Sequence, residues 1–366
     1  MANKALGIIS ANYDISGFGP LLKKRTLATI PFGARYRMID FALSNLTNAG
    51  ITTVGIITPH YYRSLMDHVG DGKPWDLDRN RGGLFVMPGA AYGEEVKKYR
   101  FPLKDLIRNR RILDSCTAET VVLCDTSCVL NADIDAFVKA HEESRCKVTF
   151  MYKNMVSSVG RSILDIDGNG IVKGIGESTG EAADVFLGIF AMSREYLIQL
   201  LENYDAVDYL DIFDVFRLDI GKHRINTYEF KAYVGIIDTL RDYEQVSGDL
   251  ISLKTTMELF ESERPIRTKI QDGAPCRYRK GAVVKNSIVA TGAVIEGTVE
   301  NSIIFRSVYV EKGAVVKNSV IMQHGIICEG AEVENAILDK SVKVGKGKKL
   351  SGAKDNYIVV AKGTEV

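Results

Sequence analysis

The sequence predicts two folded parts in tandem: an α/β domain on a largely parallel sheet, followed by a parallel β-helix. Three observations carry this reading. Short β-rich runs alternate with amphipathic helical patterns through the first two thirds of the chain. A near-repeat returns through the last third. The length of 366 residues exceeds what one ordinary core encloses. The boundaries expected are an α/β domain over 1–245, a linker over 246–279 and a β-helix over 280–366.

The elements follow from local pattern. Ala5–Ser10 is apolar enough for a first strand, and residues 37–49 place Ile39, Leu43 and Leu46 on one helical face. Residues 53–57 and 120–123 read as strands, the latter central, with a helix over 134–143 between it and strands at 148–152 and 185–192. The segment DIDGNG from Asp165 invites a calcium-loop reading. That loop requires Glu at its twelfth position, where Gly176 stands and Glu177 falls one residue late. A hairpin turn through Asp167, Gly168, Asn169 and Gly170 fits the same residues.

The repeat is explicit. GAVVKNSIV at 281–289 returns as GAVVKNSVI at 313–321 and, more loosely, as GAEVENAIL at 330–338. Starts 32 and 17 residues apart suit coils of about three hexapeptides, with small residues at the corners and Val or Ile inside. A hexapeptide solenoid with acyltransferase activity needs a well-placed His, and His324 is the one available in this stretch. A packing and oligomerisation surface is the plainer expectation.

Composition narrows the function classes. A net charge of +1 gives no broad basic face for nucleic acid. The apolar run at the start is too short for a signal-peptide core or a membrane span, so a cytoplasmic protein is expected. Six cysteines at 116, 124, 128, 146, 276 and 328 form no CxxC pair, which points to reduced thiols rather than zinc or redox chemistry.

Residues 19–51, GPLLKKRTLATIPFGARYRMIDFALSNLTNAGI, closely resemble the N-terminus of bacterial ADP-glucose pyrophosphorylase, the nucleotidyltransferase that makes ADP-glucose from ATP and glucose 1-phosphate for glycogen. The order of parts agrees with that family, whose GT-A/Rossmann-like nucleotidyltransferase domain precedes a left-handed parallel β-helix. The resemblance also shows what is missing. The family's GGxGTRL loop becomes Asn12 to Phe18, with bulk at Tyr13 and Ile15 and Gly17 in place of the Arg. Glycines in such a loop let backbone N–H groups approach phosphates. The Lys of the RAKP segment is Leu27, the Lys of FxEKP is Ser178 while its acid remains as Glu177, and the Ser of the SMGIY strand is Phe186.

The metal carboxylates fare the same way. Counting back from the helix near Asp133 puts Ser127 at the Asp of SGDH, and the W-x-D-[IV]-G-T motif puts Ile236 at the second Asp. An aliphatic side chain cannot coordinate a hard cation. Asp125 lies two residues early, about 7 Å along a strand.

The specific match is therefore to the non-catalytic, GlgD-type subunit of glucose-1-phosphate adenylyltransferase. It implies no catalytic residues here, no cofactor on this chain, Mg2+ only in the catalytic partner, and assembly with that catalytic subunit into a hetero-oligomer, expected to be a tetramer. It also implies a phosphorylated effector at Lys24, Arg25 and Arg37, although the same segment can simply dock the first helix. Nucleic acid and membrane are not expected partners. Two rival readings are an active adenylyltransferase using Asp125 or Asp238 as a displaced acid, and a sugar-nucleotide sensor.

Overall fold

The computed structural model describes residues 5–11, 17–58, 61–89, 100–204, 211–218, 220–222, 224–354 and 356–366. Residues 12–16, where the family's glycine loop is matched, lie outside the described residues.

A mixed sheet organises the first part. Strands Gly83–Pro88, Thr53–Thr58, Ala5–Ser10 and Thr120–Cys124 lie side by side in parallel. Every residue of Ala5–Ser10 and Thr120–Cys124 is buried, as expected for strands covered on both faces. The long strand Ala182–Ser193 then joins antiparallel to Thr120–Cys124 and pairs with Val148–Val156 and the hairpin Ser162–Ile166/Val172–Glu177. The turn expected at 167–170 makes that hairpin: Asp167 N–H donates to Ile171 O at 2.9 Å and Gly170 N–H to Asp167 O at 3.0 Å. Helix Met38–Asn48 begins where Arg37 N–H donates to the Asp40 carboxylate at 2.9 Å, and it packs Ile39, Leu43 and Leu46 into the core.

The last third is a prism of parallel strands. Three separate sheets each contain five short strands, one from each coil. Asn286, Asn301, Asn318 and Asn335 turn one corner with φ between 42° and 48°, a conformation Asn tolerates better than most residues. Beside them Ser287, Ser302 and Ser319 form a ladder. Each hydroxyl donates to the carbonyl two residues back at 2.6 Å and accepts the backbone N–H of the next coil at 3.1 Å. The Asn-Ser pair of the repeat is thus a corner device.

The stretch 246–279 carries secondary structure: helix Leu240–Asp249 ends within it and helix Leu253–Phe260 lies wholly inside. Both helices contribute to one apolar core shared by the two parts, in which Phe18, Leu21, Leu27, Phe32, Tyr243 and Leu259 meet the Val and Ile interior of the β-helix. Trp75 is completely buried, edge-on to His68 at 6.0 Å. No helix among the described residues is long and apolar enough to cross a membrane.

Candidate functional site

The two positions matched to metal carboxylates come together in space. Ile236 lies on the short strand Gly235–Ile236, which pairs antiparallel with Cys128–Val129, and Ile237 N–H donates to Ser127 O at 2.9 Å. Ser127 and Ile236 therefore share one floor, as two ligands of one metal would. Both are buried, and Ile236 packs into the core beneath the sheet.

Among the described residues two acids remain on this floor, each tied to arginine. Asp125 accepts Ser127 N–H at 2.9 Å, Ser127 Oγ–H at 2.8 Å and Arg100 Nη1 at 2.7 Å. Its carboxylate sits against Gly188, where the long strand breaks register between Phe186 and Phe190. A Cβ on Gly188 would lie 2.0 Å from Asp125 Oδ2, and the φ of +72° adds a second reason for glycine. Asp238 accepts Arg161 Nη1 at 3.0 and 3.2 Å and lies 3.5 Å from Arg100 Nη2.

Arg161 has a fully buried side chain at the centre. Its Nε and Nη2 donate to Phe186 O at 3.1 Å, its Nη1 to Ser127 Oγ at 2.8 Å, and Nη2 reaches Cys128 Sγ at 3.5 Å. Burial pushes the Cys128 thiol up to about 12, so it is no thiolate ligand at neutral pH. Phe186 itself stacks on Phe213 with centroids 4.6 Å apart and tilts against Phe150. Aromatic packing thus occupies the place where the family's Ser is matched.

These residues do not fit Mg2+. A hard divalent cation demands several oxygen ligands in near-octahedral array, whereas here one ligand position is aliphatic and both carboxylates face guanidinium groups. Among the described residues no group of three His, Cys, Asp or Glu is placed to hold a metal. Asp125 and Asp238, the acids a displaced catalytic site would use, are both ion-paired with arginine.

A second feature lies between the two parts of the chain. A cleft of about 150 Å³ is lined by Arg35, Arg37, Lys269, Arg306, His324 and Lys340, with Tyr36, His68, Gln271 and Gln323. Arg37 is held by Ser64, donating to its carbonyl at 2.6 Å and its hydroxyl at 3.0 Å. Burial, partly offset by Asp40 and reinforced by Arg25, lowers Arg37 to about 10. Lys340 falls to about 7, through burial first and then Arg37 and Arg25. His68 Nε2 lies 2.5 Å from Asp40 Oδ1, and burial lowers its pKa despite that carboxylate. A cleft lined by this many cationic side chains is chemically suited to a multiply charged anion.

The sequence-predicted effector residues divide. Arg37 lines this cleft, while Arg25 is buried in an ion pair with Asp339 of the β-helix. Lys24 is exposed on the adjoining turn, and neither it nor Arg25 is among the cleft-lining residues described. Glu177 is exposed at the end of its strand, 3.8 Å from Arg217. Arg306, His324 and Lys340 were not singled out for effector binding from the sequence. The signal was present: Arg306, Gln323 and Lys340 recur every 17 residues, one coil apart, so the repeat stacks them in one column at the domain boundary.

Comparison with known proteins agrees with this architecture. Residues 18–233 match the family described as Nucleotidyl transferase, and residues 275–356 that described as GlmU-like, C-terminal hexapeptide. The chain is 34% identical over 361 residues to the glycogen biosynthesis protein GlgD of Bacillus subtilis (strain 168), covering 99% of this chain and 96% of that one. It is 36% identical over 322 residues to GlgD of Geobacillus stearothermophilus, covering 86% and 83%. Glucose-1-phosphate adenylyltransferase of Clostridium perfringens (strain 13 / Type A) is 28% identical over 381 aligned residues, covering 97% and 94%. With a nucleotidyltransferase sheet, a hexapeptide β-helix and full-length similarity at this level, the chain belongs to the GlgD family of glycogen biosynthesis proteins.

Proposed function

We propose that this chain is a catalytically silent, regulatory subunit of a cytoplasmic glucose-1-phosphate adenylyltransferase, and that it senses a phosphorylated metabolite in the cleft between its α/β domain and its β-helix. The observation that carries the regulatory half is the cleft itself: Arg37 and Lys269 from one side meet Arg306 and Lys340 from the other. An anion held by both sides ties the two domains together and so biases the shape presented to a catalytic partner. The silent half rests on the floor at Ser127 and Ile236, where no metal-ligand pair survives.

The test uses the purified chain alone and mixed with a catalytic subunit. Alone, it should make no ADP-glucose from ATP, glucose 1-phosphate and Mg2+. Mixed, it should assemble and shift the response to fructose 1,6-bisphosphate. Arg306→Ala should keep assembly and weaken that shift by about tenfold in effector concentration, the order of losing one charge-assisted contact. Steady turnover by the chain alone, lost in Asp125→Asn, would establish the displaced-acid enzyme instead. An unchanged effector response in both Arg306→Ala and Arg37→Ala would leave assembly without sensing.

A further inference from the structure

The silent floor keeps two acids, and their neutralisation comes from within the chain. Asp125 follows the central strand Thr120–Cys124 and Asp238 follows Gly235–Ile236, yet Arg100 reaches both, at 2.7 and 3.5 Å. Arg161 lies on the inner side of the same pair, 3.0 Å from Asp238 and 4.0 Å from Asp125. Two carboxylates converging in a water-poor site repel unless a cation stands with them.

Arg161 meets that demand in a fixed geometry. A guanidinium offers five N–H donors in a rigid fork, and here they are directed to Asp238, Ser127 Oγ, Phe186 O and Cys128 Sγ. The backbone is equally committed: Ser178 N–H donates to Arg161 O at 2.7 Å, and Arg161 N–H to Ser158 O at 3.2 Å. Ser158 Oγ–H in turn donates to Asp242 at 2.7 Å, and the same Asp242 oxygen accepts Asp238 N–H at 3.0 Å. The loop that delivers the arginine and the segment that delivers its carboxylate are thus fastened to one residue.

We infer that the Arg161 guanidinium is a built-in cation that has taken over the position and the charge-balancing role of a divalent metal, locking the floor and closing it to metal ions. This deepens the silent half of the proposed function and is independent of the effector cleft. It adds a barrier to metal at Arg161, beyond the loss of an acid at position 127 and alongside the pairing of Arg100 with Asp125.

The test is direct binding of Mn2+ to the full-length chain without any catalytic subunit, read by electron paramagnetic resonance and by thermal unfolding. The wild-type chain should show no Mn2+ site that depends on Asp238, and its Tm should not move with Mn2+. Arg161→Met should unfold several degrees lower without metal, bind Mn2+ at least about tenfold more tightly than wild type, and regain part of its Tm when Mn2+ is added. Adding Asp238→Asn should abolish that gain. Arg161→Lys, which retains the charge without the fork, should fold and remain closed to Mn2+. A wild-type Mn2+ site lost in Asp238→Asn overturns the inference, and so does a folded Arg161→Met chain that binds Mn2+ no better than wild type. The wild-type measurement decides even if the methionine variant fails to fold, and neither result bears on effector response.

Discussion

Lys340 shows how strongly this molecule bends the chemistry of single residues. Its ammonium is half-buried and held at about 7 by burial, Arg37 and Arg25, with Lys362 adding to the effect and Asp339 opposing it. Arg35, Arg306, Lys269, His324 and His68 line the same cleft. In the folded protein Lys340 is therefore largely neutral above pH 7, while the unfolded chain keeps it protonated to about 10.5, so its contribution to stability rises with pH across that window. Anion binding has the opposite sense. Sulfate, whose charge is constant in this range, favours the protonated amine, so its affinity should fall roughly tenfold from about pH 7 to about pH 9, above the range of an ordinary histidine. Calorimetric titration checks this, with Lys340→Met expected to bind weakly and with a flatter pH profile. An equally steep profile in the methionine variant would assign the proton elsewhere. Ser127 and Ile236 were legible in the sequence because motif spacing survives substitution. Arg161 was not, because its partners lie 34 and 77 positions away and no local pattern announces a tertiary ion pair.

Among the elements, the β-helix coils were the most legible, since each repeats its neighbour's environment. Val and Ile mark the interior, Asn the left-handed corner, and Ser the bond between coils. Ser302 is buried and its hydroxyl both donates to Glu300 O and accepts Ser319 N–H. Ser302→Ala should therefore cost about 1–3 kcal/mol by leaving a backbone donor unpaired, measurable by denaturant unfolding, whereas Ser287→Ala on the exposed first coil should cost less. The turn before the first helix carries the Lys-Arg pair that the family resemblance marks as an effector site, but Arg25 is paired with Asp339, an acid with 1% of its side chain exposed. Removing one partner of a buried pair strands the other charge, so Arg25→Ala should destabilise the fold by about 3–5 kcal/mol. That loss would be seen as a lower Tm in the absence of any anion. A variant of wild-type stability with a weakened effector response would instead assign Arg25 to binding.

At the scale of the whole molecule, the two parts are joined by apolar surface rather than merely by chain connectivity. Phe18, Leu21 and Leu27 from the N-terminal turns, Tyr243 and Val246 from one helix and Leu259 from the next lie in the same core as Val299, Ile304, Val316, Ile321 and Val333 of the β-helix. Tyr243 also donates to Pro31 O at 2.7 Å within this core, and burial raises its phenol well above the ordinary range. The sequence made both domains visible but not this junction: the helices Leu240–Asp249 and Leu253–Phe260 are amphipathic, but no local pattern says that their apolar faces meet both Tyr36 and Phe41 of the α/β part and the interior of the β-helix. Leu27 illustrates the trade. At the position matched to the Lys of the RAKP segment, this chain has a fully buried apolar side chain that helps seal the domains together. Removing the β-helix would expose this face, and each large side chain uncovered costs about 1.5–3 kcal/mol of burial, so a few of them exceed the stability margin of an ordinary domain. A chain ending at residue 275 should consequently be insoluble or unfolded by circular dichroism, and Leu27→Lys in the full-length chain should lower its Tm by disrupting the same junction. A soluble, cooperatively folding monomer of residues 1–275 would show that the α/β domain is self-sufficient and that the shared core is an interface of convenience.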